Sequence, residues 1–242
     1  MGIYGAPKIT HLLREEGLSI SVKTVSNYMR FLGIQSIVKA KFPKRINHMS
    51  MKEKSLIKNL IQHLSITHPN QVWTTDITYI KTKNDGWVYL SSIIDLYSRK
   101  VISWDVSKKM DTSFVMTTLA RAFKIRKPSP GLIVHSDKGA QYRSHTYRNF
   151  LLKHHCQFSY TRLNHSCDDN AHQESFHSLL KKEFLSHKTL LNIDNVKREV
   201  FSYIEGFYNT KRIHSSIGYV SPNSFERQYF LLPSPSRSCP IS

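Results

Sequence analysis

Three acidic side chains stand where chemistry could be done: Asp76 in VWTTDITYI, Asp137 in GLIVHSDKGAQY and Glu174 in DDNAHQESFHSLLKKEF. Asp76 falls within an alternating strand, Asp137 at the tip of a short apolar strand, and Glu174 near the start of a helix. A sheet that sets the first strand beside the fourth would bring the two aspartates together, and the helix could add the glutamate from the side. Hard carboxylate oxygens gathered in this way select Mg²⁺ or Mn²⁺ over zinc. Two such ions about 3.5 to 4 Å apart can activate an attacking oxygen and stabilise the leaving oxygen of an in-line phosphoryl displacement. Read singly, the three residues have plainer roles as a strand residue, a turn former in SDKG and an exposed helix residue. Only the joint pattern carries the inference.

Composition indicates what such a site would act on. Lys and Arg number 35 against 17 Asp and Glu, a formal net charge of +18. A chain so unbalanced is drawn to polyanions, because neutralising phosphates releases condensed counterions. Nucleic acid is therefore the expected partner. A purely solvated basic surface would explain the charge equally, but 40% hydrophobic residues with 12 Tyr, 12 Phe and 3 Trp provide for an ordered core. The 242 residues suit one medium domain and a smaller one. No apolar run is long enough to span a membrane and no signal peptide is evident, so the chain reads as cytoplasmic.

Cys156, Cys167 and Cys239 are too few and too scattered for a disulfide framework. His154, His155, Cys156, His165 and Cys167 cluster loosely, but their spacing matches no standard four-ligand zinc pattern.

The elements that must position the carboxylates follow from periodicity and punctuation. PKITHLLREEG predicts a helix with Ile9, Leu12 and Leu13 on one face, stopped at Gly17. SVKTVSNYMRFLG predicts a second, N-capped by Ser21, burying Val22, Val25, Met29 and Leu32 and stopped at Gly33. Joined by GLSI, the two make a helix-turn-helix or an ordinary helical hairpin. The outward residues Lys23, Thr24, Asn27 and Arg30 could contact phosphates or base edges. The stretch KAKFPKRINHMSMKEK, with Glu53 its lone acid, favours DNA binding and reads as a basic linker.

Three strands with short connections then form an antiparallel meander: the one bearing Asp76, one after the turn NDG, and KVISWDVS. Asp111 or Thr112 caps a helix ending before Pro128. GLIVHSD, SHTYRNFLLKHH and QFSYT give strand, helix, strand. Asp168 or Asp169 caps a helix running through Glu174 to about Phe184, and a last helix spans roughly Val196 to Tyr208. The order points to an α/β fold with a mixed sheet flanked by helices. The expected divisions are a helix-turn-helix-like segment (1–47), a basic linker or helix (48–65), a catalytic core with its C-terminal helix (66–228) and a flexible tail (229–242).

WTTDITYI, HSDKGAQY, DNAHQESFHSLLKKE and YNTKRIHSSIGYVSPNSFE together resemble the integrase-type core of DD(E) transposases of the IS3-like insertion-sequence family. IYGAPKITHLLREEGLSISVKTVSNYMRFLGI resembles the helix-turn-helix that precedes that core, so the likeness runs from about Ile3 to Phe225. The resemblance implies an RNase H-like fold, the triad Asp76, Asp137 and Glu174 as catalytic and metal-holding residues, and Mg²⁺ or Mn²⁺, two ions, as cofactor. It implies hydrolysis that exposes a 3′-hydroxyl, then direct attack by that hydroxyl on a second phosphodiester. Lys181 matches a basic residue that contacts the DNA end, two helical turns beyond Glu174. Gln141 and Tyr142 match a motif beside the second aspartate, and Arg212 and His214 a C-terminal motif with a DNA or structural role.

Expected partners are DNA at the element's ends and target, other copies of the chain on that DNA, and no membrane; the setting is a bacterial nucleoid. Met1 falls almost directly on the helix-turn-helix, so the chain reads as a second-frame product working with an upstream-frame protein. The sequence departs from the family pattern in three places. Between Asp137 and Glu174 lie 36 residues where 35 are usual, the loop reads NHSCDDN where a glycine is usual, and His177 stands where a second Phe is common. A decayed, DNA-binding repressor copy and an RNase H-like nuclease remain alternatives.

Overall fold

Val72–Lys81 (β1), Trp87–Asp95 (β2) and Val101–Ser107 (β3) form the expected meander. In the computed structural model, which describes residues 2–37, 59–161 and 170–231, β1 also pairs in parallel with Ile133–Ser136 (β4), and β4 with Gln157–Tyr160 (β5). The result is a five-stranded mixed sheet of order β3-β2-β1-β4-β5. Alternation along the strands feeds two cores, one on each face. Trp73, Ile93 and Val134 pack against Thr112–Arg126 (α3), the short turn Ala140–Arg143 (α4) and His145–Lys153 (α5). Ile80, Leu90 and Ile94 pack against Ala171–Leu179 (α6) and Ile193–Tyr203 (α7). The parallel crossovers are helical, as long connections between parallel strands require.

Local chemistry sets the helix ends. Ser21, Asp111 and Ser144 accept the N–H groups of Thr24, Phe114 and Tyr147, which stops the first turns of their helices from leaving donors orphaned. Gly17 and Gly33 follow the two N-terminal helices, Ala6–Glu15 (α1) and Val22–Phe31 (α2), in the left-handed region. Of the four side chains expected to be buried on α2, only Val25 is; Val22 and Leu32 are 42% and 62% exposed and Met29 is half-buried. A two-helix unit has one shared seam, too narrow to cover the whole apolar stripe.

The helix that begins at Ala171 does not run regularly to Phe184. It widens into a π turn over Leu180–Phe184 and tightens into a 3₁₀ turn, Leu185–His187. Leu180 and Leu185, five residues apart, are both core residues, and the wider turn lets both face inward. The helix cap expected at Asp168 or Asp169 lies outside the described residues, as do His165, Cys167, Cys239 and most of the linker. The segment where 59–65 meets the core is held by Leu60, whose N–H donates to Ser159 Oγ. Beyond the helix expected to be the last comes a further one, Pro222–Leu231 (α8), where the sequence predicts none. Its Glu226 anchors it by ion pairs to Lys100 and Arg126.

Candidate active site

Parallel pairing of β1 with β4 sets Thr74 opposite His135. Two residues further along each strand, on the same side of the pleat, come Asp76 and Asp137, so the register places the two carboxylates level on neighbouring strands. Both are partly buried. Each is held by a backbone donor: Ile77 N–H to Asp76 Oδ1 at 2.8 Å, and Gly139 N–H to Asp137 Oδ1 at 2.9 Å. Burial pushes the Asp137 carboxyl above the ordinary carboxylate range; the Gly139 hydrogen bond opposes this, and the charge of Asp76 adds to it. A pair of carboxylates on neighbouring strands suits a hard divalent cation, which would relieve the repulsion between them.

Glu174 lies in the first turn of α6, exposed, on the helix that crosses the same face of the sheet. Among the described residues no three His, Cys, Asp or Glu side chains converge into a metal cage, so the structure does not bring Glu174 together with the two aspartates as one cluster. The residues flanking Glu174 on the inner side of α6 lock the helix down. Gln173 donates to the carbonyls of Thr74 at 2.7 Å and Ser92 at 3.3 Å, and accepts from Ser92 Oγ at 3.0 Å. His177, one turn on, places Nε2 3.0 Å from Ser92 Oγ and Nδ1 3.5 Å from Asp76 Oδ2. Ser92 is the residue that Asp76 faces across the antiparallel β1–β2 pair.

Lys181 falls inside the π turn, so its relation to Glu174 is not the regular two-turn spacing expected of an α-helix. Its ammonium sits 4.7 Å over the ring of Tyr79. Burial lowers its proton affinity, and the charge of Asp76 opposes that shift, which puts the lysine on the carboxylate side of the molecule. Gln141 donates to the Met110 carbonyl at 3.0 Å and so ties the loop after Asp137 to the start of α3. The Tyr142 ring is core, its hydroxyl 3.4 Å from Thr75 Oγ1. Lys23, Thr24, Asn27 and Arg30 all face outward on α2, with Thr24 Oγ1 2.8 Å from Ser21 Oγ.

Arg212 and His214 are interior. Arg212, 5% exposed, makes a bidentate pair with Glu183 at 2.6 and 2.9 Å, and Tyr203 donates to the same carboxylate at 2.8 Å. His214, 9% exposed, packs its ring edge-on to Tyr208. Burial pushes its proton affinity down to about 3, with the charges of Arg212, Lys8 and Arg99 adding to the effect. Reading motifs along the chain misses Gly139, Gln173, His177 and Glu183 as site-building residues. Gln173 and His177 had one usable signal, a polar pair at helical spacing beside Phe176 and Leu180. Cys156 is buried, its thiol pushed up to about 11 by that burial.

Residues 66–166 and 174–230 match integrase core domain families, and residues 1–42 match an HTH-like domain family. Over 229 residues the chain is 38% identical to the transposase for insertion sequence element IS904 of Lactococcus lactis, covering 93% of this chain and 88% of that protein. It is 37% identical over 228 residues to transposase InsF for insertion sequence IS3A of Escherichia coli K12, covering 93% and 77%. Among solved structures, the simian T-cell lymphotropic virus intasome in complex with a PP2A regulatory subunit aligns with a TM-score of 0.56 at 16% identity, over 99% of this chain and 74% of that one. The HTLV-2 integrase catalytic core domain in complex with magnesium aligns at 0.50 and 18%, over 66% and 97%. At such identities these two likenesses show the fold. No helix among the described residues is long and apolar enough to cross a membrane.

Proposed function

The chain belongs to the IS3 family of insertion-sequence transposases, and we propose that it cuts and joins DNA at the carboxylate site formed by Asp76, Asp137 and Glu174. The observation that carries this reading is the level placement of Asp76 and Asp137 on adjacent parallel strands, with the helix that bears Glu174 locked across them by Gln173 and His177. Magnesium or manganese held by the three carboxylates would supply Lewis-acid activation of the attacking and leaving oxygens.

The chain's own residues prepare the reaction. In the first step a water oxygen bonds to phosphorus as the bond to the 3′-oxygen breaks, and that oxygen leaves as a 3′-hydroxyl. In the second, the 3′-oxygen bonds to a phosphorus of another strand and displaces its bridging oxygen. Both are in-line displacements, so positioning and charge do most of the work. The Gly139 and Ile77 amides fix the carboxylate planes. Lys181 brings a positive charge to the same side, where it can meet the phosphate of the DNA end. Lys23, Thr24, Asn27 and Arg30 offer α2 to DNA.

In this reading residues 1–47 bind DNA and the core beginning near residue 66 does the chemistry, several copies assembling on one DNA in the bacterial nucleoid. In this reading Tyr142, Arg212 and His214, all buried, serve packing rather than DNA contact. The test is an end-labelled duplex carrying the terminal repeat of the encoding element. The reading expects Mn²⁺- or Mg²⁺-dependent release of a 3′-hydroxyl end and joining of that end to a second strand. Preferential cleavage of an RNA–DNA hybrid would replace it with the RNase H-like alternative, and binding without nicking under either ion would replace it with the repressor.

A further inference from the structure

Both backbone polar groups of Ile213 are engaged by side chains of the N-terminal segment. Its N–H donates to Tyr4 Oη at 3.2 Å and its carbonyl accepts from Lys8 Nζ at 2.8 Å. Lys8 lies 5.0 Å over the Tyr4 ring, and His11 stacks on Tyr219 with centroids 4.3 Å apart. Ile3 lines a cleft whose other walls include Glu183, Phe184, Tyr203 and Phe207. The next residue along from Ile213 toward the N-terminus is Arg212, bound to Glu183 through two hydrogen bonds. Glu183 lies in the π turn that continues α6. A continuous set of short contacts therefore runs from the helix pair through Ile213, Arg212 and Glu183 into the helix that carries Glu174.

We propose that Tyr4 and Lys8 are positioning residues: their grip on Ile213 makes the helix pair and the Glu174 helix one mechanical unit, holding DNA bound on α2 at a fixed offset from the carboxylates. The proposal rests on the reading of Glu174 given above. A buried charged pair such as Glu183–Arg212 serves this purpose well, because it tolerates no displacement of either partner without exposing the other uncompensated. Both hydrogen bonds go to the backbone of Ile213, so this part of the grip depends on the course of the chain there. A rigid link of this kind is how a recognition module and a cutting site can share one register on DNA.

The test combines Tyr4→Phe, which removes only the acceptor, with Lys8→Met, which keeps the stem and removes the donor. Amide hydrogen exchange is followed in residues 6–31 and 171–187, and nick positions are mapped on the terminal-repeat duplex. The double variant, which loses one neutral and one charged hydrogen bond, is expected to exchange at least about tenfold faster in both segments. It is also expected to scatter nicks over several phosphodiesters where the natural chain cuts at one, and Lys8→Arg, which restores a donor, should return exchange and nick position toward normal. Faster exchange confined to 6–31, with 171–187 and the nick position unchanged, would overturn the proposal. So would a Tyr4→Phe chain, which keeps the lysine and is the milder change, that leaves both exchange rates untouched. Should Glu174→Gln retain full nicking, the catalytic reading fails on its own, whereas the coupled exchange of the two segments would still stand or fall separately.

Discussion

His177 reaches from α6 to the carboxylate of Asp76, with Nδ1 3.5 Å from Oδ2, while its other ring nitrogen stands 3.0 Å from the hydroxyl of Ser92. One imidazole thus touches both members of the cross-strand pair Asp76 and Ser92 and fixes the distance from sheet to helix. Replacing it with leucine keeps most of the volume and removes both polar contacts. The expected outcome for His177→Leu is a loss of about 1–3 kcal/mol in urea unfolding, with a fall in nicking larger than that loss alone would produce at saturating metal. Unaltered nicking beside a measurable stability loss would limit His177 to packing.

Gly139 is a position where space, not backbone angle, demands glycine. A Cβ there would lie 3.0 Å from Asp137 Oδ1 and 3.2 Å from Gln141 Oε1. The neighbouring side-chain ends must give by a few tenths of an ångström, and the nearer of the two is the carboxylate. Gly139→Ala is therefore expected to leave the melting temperature within a few degrees and to lower nicking about tenfold or more, the cost of misplacing one reacting group. Kinetics of nicking set beside a thermal melt check it.

Arg212 and Glu183 are buried together, 5% and 3% exposed. Removing one partner strands the other, which typically costs about 3–5 kcal/mol, whereas replacing both with apolar groups of similar size costs far less. Arg212→Met should accordingly destabilise more than the double variant Arg212→Met, Glu183→Met. Equilibrium unfolding of the two proteins gives the comparison, and a double variant worse than the single would contradict it.

His214 sets a pH dependence. Its proton affinity is lowered in the folded chain from 6.5 to about 3 by burial and by neighbouring positive charges. The unfolded chain therefore binds the proton first as pH falls. The stabilisation is complete above about 6.5 and is lost as pH drops toward 3, at up to about 1.4 kcal/mol per pH unit. The difference in unfolding free energy between the natural chain and His214→Asn should shrink through that window. A difference that stays flat from pH 7 to about 4 would contradict it.

Much of this arrangement is legible in the sequence where the cause is local. Ser21 and Asp111 announce their helices because a cap acts within three residues, and Gly17 and Gly33 announce the ends because only glycine enters the left-handed region cheaply. The alternation of Val72 to Ile80 marks β1, and the family motifs place Asp76, Asp137 and Glu174 on the elements that carry them. What could not be read depends on contacts far apart in the chain. Nothing near Arg212 says that it is buried against Glu183, 29 residues away. Nothing near Leu180 says that the core lies on a side reached only through a π turn, and nothing near Tyr4 points to Ile213. The exposure of Val22 and Leu32 was hidden for the same reason, since apolar spacing says which side chains could be covered, not how wide the covering partner is.

Asp137→Asn keeps the size of the side chain and one oxygen for the Gly139 amide, and removes the charge that the site is built around. The measurement is nicking and binding of the same terminal-repeat duplex by the two proteins in Mn²⁺. The account predicts binding within about twofold of the natural chain, because the contacts proposed for α2 do not involve Asp137, with nicking reduced to background. Equal nicking by the two proteins would contradict it.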